Sequence, residues 1–433
     1  MVVAAPRVSP STLPEWLAYL ERLHPKTIEL GLERVAEVRA RMGLAPAFPI
    51  ITVGGTNGKG STCAMLEAIL DAAGYRVGCY TSPHLLEYNE RVRIGKQAAS
   101  SAELCAAFAK VERARTAQPE ISLTYFEFGT LAAVQCLIER QVDVAILEVG
   151  LGGRLDAVNA FDTDCAVVCS VDLDHTEYLG DTREKIAFEK AGIFRAGRVA
   201  VFGDPDMPGA IAEHAEKIGA RLWRLGRQFG YARHGQQWDY RGDAGVRNAL
   251  PYPALRGAYQ LNNASAALAA LDALRGQLPV SMEAVRRGLV EVNLPGRFQV
   301  LPGTPPLILD VAHNPHAARA LAQNLAAMPP ARTFAVFGML RDKDIAGVAR
   351  ALDGQVDTWL AAGIDAPRGA SAAELAQVLR GEKVHGGIEM FPTPADALRH
   401  ACNVAAENDR IVAFGSFYTV ADAMRERPCG SGA

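Results

Sequence analysis

The sequence predicts an α/β protein built on a mostly parallel sheet with helices on both faces. Three observations predict it. Short apolar runs alternate with helical stretches along most of the 433 residues. The strongest runs, such as VDVAILEV at Val142–Val149, are apolar without alternation, which is how strands buried on both faces read. A glycine-rich turn at Gly54–Thr62 lies between such a strand and a helix.

Phe48–Val53 opens the pattern as a buried strand, and Thr62–Ala73 follows as a helix. Arg76–Tyr80 reads as a strand, Phe128–Arg140 as a helix, and Val142–Val149 and Cys165–Val171 as strands. From Arg221 to about Pro253 the chain carries aromatics, glycines and turn residues without helical period, which predicts short antiparallel strands in a small extra sheet. Asn262–Arg275 and Met282–Val290 read as helices. The Leu294–Arg297 sequence LPGR breaks the rhythm and sets a domain boundary, giving residues 1–296 and 297–433. Beyond it, Pro306–Val311 and Thr333–Gly338 read as strands with a helix at Pro315–Met328 between them. Asp357–Ala361, Ile388–Phe391 and Arg410–Gly415 complete a second α/β unit of ordinary domain size.

Composition narrows the function class. The net charge is −3, so there is no global basic footprint for nucleic acid. Hydrophobic residues make up 49% and charged ones 21%, which excludes a disordered chain. Eight cysteines are too few for a disulfide scaffold. Cys165 and Cys169, four apart in one strand, read as reduced packing residues. No apolar run reaches the roughly 20 residues of a membrane span, and the N-terminus lacks the pattern of a signal peptide. The expectation is a cytosolic protein of two or three domains, with neither nucleic acid nor membrane as partner.

The turn reads Gly54-Gly55-Thr56-Asn57-Gly58-Lys59-Gly60-Ser61-Thr62. Its glycines let successive backbone N–H groups point at phosphate oxygens, and the following helix adds its positive end. Lys59 supplies a cation for β/γ-phosphates, and Ser61 or Thr62 a hydroxyl for Mg²⁺. The usual pattern has Gly where this chain has Val53, and Ser or Thr where it has Gly60. The alternative is a structural turn; the strand–turn–helix setting favours nucleotide.

Other polar residues stand out by position. Glu148 closes an apolar strand at the edge where open α/β sheets bind ligands, so a metal role is favoured over packing. His175 follows the strand ending at Val171; a lone histidine is as readily structural, and imidazole is an unusual Mg²⁺ ligand. Lys190 in FEKAGIF is either a solvated helix charge, a partner of Glu189, or functional. Asp310 also ends a strand. His313 and His316 have i, i+3 spacing but read as loop and helix-start residues, and Lys343 either binds a substrate chain or pairs with Asp342 or Asp344.

The loop GTNGKGS is similar to that of the Mur-ligase superfamily, and ordered motifs extend the likeness over nearly the whole chain. They include KTIELGLERV (Lys26–Val35), YTSPHL (Tyr80–Leu85), NERVRI (Asn89–Ile94), LTYFEFG (Leu123–Gly129) and LEVGLGGRLDAVN (Leu147–Asn159). LDHTEYLG (Leu173–Gly180), EKAGI (Glu189–Ile193), PGRFQ (Pro295–Gln299), LDVAHNPH (Leu309–His316) and GMLRDKD (Gly338–Asp344) follow. Together they resemble the bifunctional dihydrofolate synthase/folylpolyglutamate synthase family. Only 53 residues precede Gly54, which sets the chain apart from cell-wall Mur ligases with a UDP-sugar-binding domain first.

The resemblance implies a Mur-ligase-like fold, with a P-loop ATPase domain and a C-terminal Rossmann-like domain. It implies ATP-dependent ligation of L-glutamate to dihydropteroate and to reduced folates, through an acyl phosphate, by a cytoplasmic monomer. It gives ATP to Thr56, Asn57, Gly58, Lys59, Gly60 and Ser61, with Asn263 at adenine, Arg297 at a phosphate and Asp310 at the ribose. It gives one or two Mg²⁺ ions, held by Ser82, Glu148 and His175, and a carbamylated Lys190 supporting the second. It makes Lys59, Glu148, His175 and Lys190 the catalytic set. The pterin side falls to Glu29, Leu30, Gly31, Thr124, Phe126, Leu155, Asp156 and Ala157; Phe126 offers a ring face and Asp156 a carboxylate for an amino-pyrimidine edge. On this reading a second domain closes over ATP, with the site in the cleft. The alternatives are a folylpolyglutamate synthase with one activity and a non-catalytic nucleotide switch.

Overall fold

The computed structural model describes residues 10–26, 28–257 and 259–426. They form two compact units. One holds the described residues up to Pro251 together with Ala264–Leu289; the other holds Tyr252–Asn263 and the described residues from Val290 onward. The chain thus passes between units at 251/252, 263/264 and 289/290.

The first unit opens with helices α1 (Leu13–Leu23) and α2 (Glu33–Met42). Thr12 caps α1 in a capping box with Glu15, and Trp16 and Leu20 are buried from its inner face. Strand β1 (Ile50–Gly54) then leads through the glycine-rich turn into α3 (Lys59–Ala72), followed by β2 (Val77–Tyr80), β3 (Val92–Ile94) and β4 (Gln97–Ala98). Helices α4 (Ser101–Thr116) and α5 (Tyr125–Glu139) precede β5 (Val144–Glu148) and β6 (Cys165–Val168). The short α6 (Thr176–Leu179) and α7 (Arg183–Ala191) lead to β7 (Val199–Phe202), α8 (Gly209–Ile218) and β8 (Arg221–Arg224).

These strands make one eight-stranded sheet in the order β4-β3-β2-β5-β1-β6-β7-β8. β1 is central, parallel to β5 on one side and β6 on the other, and every residue of β1, β5 and β6 is buried. That double burial explains the unbroken apolar runs. A three-stranded antiparallel sheet follows, of β9 (Gly230–His234), β10 (Gln237–Gly242) and β11 (Gly245–Pro251), where a small extra sheet was expected. β8 departs from that expectation. It pairs parallel with β7 in the large sheet, because α8 returns the chain in the same direction as a βαβ crossover must. Helices α9 (Gln260–Ala273) and α10 (Met282–Glu291) close this part of the chain.

The second unit contains β12 (Gln299–Leu301), β13 (Leu307–Asp310), α11 (Pro315–Ala326), β14 (Thr333–Phe337) and α12 (Ile345–Leu352). It continues with β15 (Thr358–Ala362), α13 (Ala372–Gly381), β16 (Gly387–Phe391), α14 (Pro394–Val404), β17 (Arg410–Phe414) and α15 (Phe417–Arg425). Its six strands run β12-β13-β17-β14-β15-β16, all parallel except the β12–β13 pair. Trp359, Phe337 and Phe414 pack ring against ring at its core. No helix among the described residues is long and apolar enough to cross a membrane.

Candidate active site

Ligands of open α/β sheets bind beyond the carboxyl ends of the strands, where the strand order reverses. In the large sheet, β1, β5 and β6 end there side by side, with Val53 paired to Glu148 on one flank and to Val167 on the other. The glycine-rich turn leaves β1 at this edge. Gly55 has φ 143°, and a Cβ on it would lie 3.1 Å from the Cys169 backbone nitrogen. Gly58 caps α3 in the left-handed conformation, φ 87°.

The turn is pinned from the segment after β6. Thr56 N donates to Ser170 O (2.8 Å), and the Thr56 hydroxyl bonds both the N–H and the C=O of Asp172. Asn57 N donates to Ser170 Oγ at 3.1 Å, and that hydroxyl donates to Asn57 O at 3.1 Å. Lys59 Nζ folds back over the loop to Gly55 O (2.9 Å) and Thr56 O (3.1 Å). Thr62 is buried and its hydroxyl meets Cys169 Sγ at 3.2 Å, and Ser61 is buried in the same first turn of α3. Cys165 and Cys169 are both free and buried, though Cys169 lies just beyond the strand that holds Cys165.

Glu148 ends β5 with its side chain buried, and Oε2 accepts from Ser82 N at 3.1 Å. His175 stands at the start of α6 with φ 51°, a left-handed conformation rare for a side-chain-bearing residue and concentrated at functional sites. Its backbone N–H donates to Asp174 Oδ1 at 2.9 Å. Among the described residues no three of His, Cys, Asp and Glu gather as a metal cage. That is compatible with Mg²⁺, which takes one or two protein carboxylates, keeps waters, and completes its shell with phosphate oxygens. A buried carboxylate beside a serine, at the edge of a phosphate loop, supplies such a donor set.

Lys190 is buried near the end of α7, not a solvated helix charge, and Glu189 pairs with Arg154 at 2.9 Å. Burial first, and Lys59 second, pull the Lys190 amine down to about 7. The GGR turn fits tightly against α7: a Cβ on Gly153 would lie 2.8 Å from Glu189 O, and Arg154 N donates to that carbonyl at 2.7 Å. Asp156 is buried, with Oδ2 accepting from Leu151 N (2.8 Å) and Oδ1 from Val158 N (3.0 Å). Burial pushes its carboxyl up to about 7 against the pull of those N–H groups and of Lys59. Lys59, Asp156, Asp174 and Lys190 are therefore one electrostatic neighbourhood.

The Phe126 ring stands over Gly150, whose Cβ would come within 2.6 Å of it, and lies 5.9 Å from the Tyr80 ring. Thr124 is the N-cap of α5, its hydroxyl accepting from Glu127 N at 3.2 Å. Ala157 is buried at the start of a 3₁₀ turn, and Leu155 O accepts from Gly31 N at 3.4 Å. The Glu29 carboxylate is ringed by His24 Nε2 (3.0 Å), Lys26 Nζ (3.3 Å) and Arg34 Nη1 (3.6 Å).

Asn263, Arg297 and Asp310 belong to the second unit. Asp310 ends β13, and its two oxygens accept from Phe298 N and Ala312 N, both at 2.8 Å, so it fixes the turn that carries Arg297. Arg297 stacks over Phe417, 5.1 Å from the ring centre. Asn263 is buried in α9, its amide donating to Gln260 Oε1 at 3.1 Å. His313 Nδ1 lies 2.8 Å from Val311 O, and the His316 ring rests 5.2 Å from Tyr259.

Sequence reasoning passed over Ser170 and Asp172, which hold the phosphate loop. The signal was present: a serine and an aspartate directly follow an apolar strand at the ligand edge.

Two family models match the chain: the Mur ligase middle domain over residues 53–271, and the Mur ligase glutamate ligase domain over residues 296–417. The dihydrofolate synthase/folylpolyglutamate synthase of Escherichia coli is 48% identical over 426 residues, covering 98% of this chain and 97% of the relative. Its Haemophilus influenzae counterpart is 41% identical over 432 residues, covering 95% and 97%. The structure of E. coli FolC in complex with DHPP and ADP superposes with a TM-score of 0.91 at 47% identity, covering 96% of this chain and 98% of that one. A bifunctional folylpolyglutamate synthase/dihydrofolate synthase with Mn, AMPPNP and L-glutamate bound gives 0.89 at 49% identity, covering 96% and 99%. The chain belongs to the Mur ligase family, in the group of dihydrofolate synthase/folylpolyglutamate synthases.

Proposed function

We propose that this protein is an ATP-dependent ligase that joins L-glutamate to dihydropteroate, forming dihydrofolate, and adds further glutamates to reduced folates, acting in the cytoplasm. A carboxylate oxygen of the pterin substrate attacks the γ-phosphorus of ATP, releasing ADP and leaving an acyl phosphate. The amine of L-glutamate then attacks the acyl carbon, the amide forms, and inorganic phosphate leaves. Such phosphoryl transfer needs alignment and charge neutralisation more than covalent help.

The chain's residues meet those needs. With Thr56 and Asn57 fixing the loop to Ser170, the N–H groups of Gly58–Ser61 cradle the phosphates, and Lys59 swings from the loop carbonyls to the β/γ-oxygens. Ser82, Glu148 and His175, with the Ser61 hydroxyl, would hold Mg²⁺, which neutralises phosphate charge when bound. Lys190, held near neutrality by burial, is suited to carbamylation, since CO₂ adds only to a free amine. Asp156 and Phe126 take the edge and face of the pterin, between Glu29–Gly31, Thr124 and Leu155–Ala157. The second unit contributes Asn263, Arg297 and Asp310 to nucleotide binding.

The observation that carries the reading is the phosphate loop at the end of β1, whose half-buried Lys59 acts electrostatically on the buried Asp156 and Lys190. The test is ADP release by purified protein with ATP, Mg²⁺, L-glutamate and dihydropteroate, repeated with tetrahydrofolate. ADP release that depends on both pterin substrates is expected. Release that ignores them would leave a nucleotide switch, and release with tetrahydrofolate alone a single-activity enzyme.

A further inference from the structure

The connection between α1 and α2 carries Glu29, Leu30 and Gly31, and its described residues have no regular secondary structure. No backbone ladder fixes it, so side chains must hold it against the entropy of an open loop. Arg34, in the first turn of α2, meets that need. Its Nη2 donates to Glu29 O at 3.0 Å and to Glu127 Oε1 at 3.0 Å, while Nε reaches Glu127 Oε2 at 3.4 Å. The fork-on-carboxylate arrangement fixes direction as well as distance.

Glu127 is the other half of the device. Its side chain is 4% exposed. It already serves α5, because Oε2 accepts from Thr124 N at 2.8 Å in a capping box. One carboxylate thus sets Thr124 and Phe126 at the start of α5 and, through Arg34, the carbonyl of Glu29. Gly31 N adds a bond to Leu155 O, which brings in the Leu155–Ala157 turn. Three segments far apart in sequence therefore converge on one ion pair. Both residues lie inside the motifs KTIELGLERV and LTYFEFG that carry the proposed pterin contacts, yet neither is itself one of those contacts.

Stability alone explains the pair poorly. Glu127 is buried and Arg34 25% exposed, and an ion pair with a buried member is often no more stabilising than apolar residues of the same size; its attested use is to select one arrangement. We propose that Arg34, locked to Glu127, is a positioning residue for the pterin-bearing substrate. It holds Glu29–Gly31 in register with the start of α5 and touches neither the phosphates nor the glutamate. This rests on the function proposed above.

The test measures ADP release for Arg34→Gln, Arg34→Lys, Glu127→Gln and the R34Q/E127Q double variant, varying dihydropteroate, ATP and L-glutamate in turn. R34Q should raise KM for dihydropteroate about ten- to a hundredfold, the scale of a small misplacement of binding groups. KM for ATP and for L-glutamate should stay within about twofold, since those contacts lie elsewhere. R34K, which keeps the charge but loses the fork, should fall between R34Q and the parent. The double variant should be no worse than R34Q, because both changes break one device. Unchanged KM for dihydropteroate in a folded variant overturns the inference, as does an equal rise in all three constants. If R34Q does not fold, R34K and E127Q carry the same reading. Failure of all three to fold makes the pair a stability element and also overturns it. A parent protein with no dihydropteroate-dependent ADP release takes down the proposed function as well.

Discussion

Replacing Lys190 with methionine should stabilise the ligand-free protein, and by an amount that depends on pH. The amine titrates near 10.5 in an unfolded chain and is pulled down to about 7 here. Sign follows from linkage: between those values the unfolded state binds more protons, so stability rises with pH. Below about 7 both states are protonated, and the fold carries the full cost of a buried ammonium, about 5 kcal/mol at 1.36 kcal/mol per pKa unit. At pH 8 the cost falls to about 3 kcal/mol, and at pH 10 to about 1. Methionine has similar length and no charge, so its packing adds an offset that does not vary with pH. Denaturant unfolding of K190M and the parent, at pH 6 to 10 in carbonate-free buffer, reads the difference directly. K190M should lead most at pH 6, with the gap closing as pH rises. A gap constant in pH would refute the reasoning, because it would mean the amine is not desolvated. A parent protein more stable than K190M at pH 6 would do the same. K190M should also lose ligase activity, the usual conflict between a strained site and a stable one.

Other outcomes follow from the same geometry. Lys59→Ala should cut ADP release with both pterin substrates by about a hundredfold or more, at unchanged melting temperature, as loss of a preorganised phosphate cation does. Glu148→Gln should raise the Mg²⁺ concentration for half-maximal activity by at least the roughly tenfold that follows loss of even an outer-shell group. Ser170→Ala removes both bonds to Asn57, and a net loss of about 1 kcal/mol should raise KM for ATP about fivefold while KM for L-glutamate stays put.

Much of this was legible in the sequence, and the reasons differ by element. β1 and β5 could be read because strands buried on both faces have no polar alternation to confuse them. The place of Glu148 at the end of β5 was legible because the apolar run closes on it. Lys59 came with its loop. Ser170 left a local signal, its place after an apolar strand, but its partner Asn57 lies 113 residues away, and the Arg34–Glu127 pair, spanning 93 residues, left no local pattern at all. β8 was placed in the wrong sheet because its partner is set by the α8 crossover and not by its own residues. The contact of Thr62 with Cys169 could not be read either, since only the fold brings the two together. The partners of the Glu29 carboxylate, His24, Lys26 and Arg34, were not legible either, since only the fold of this connection brings all three to it.

The central place of β1 has a consequence for how the chain is made. Its partners are β5, starting at Val144, and β6, starting at Cys165. During synthesis the strand IITVG therefore leaves the ribosome long before either neighbour exists. Until then it is an apolar strand with two unpaired edges, the kind of segment that recruits other chains. Because its contacts are so distant in sequence, the sheet is also slow to close. The phosphate loop grows from this same strand, so nucleotide cannot help the early chain to fold. A growing chain must shelter its future ATP site by other means, and a product cut short before β6 would carry the site's centre without its walls.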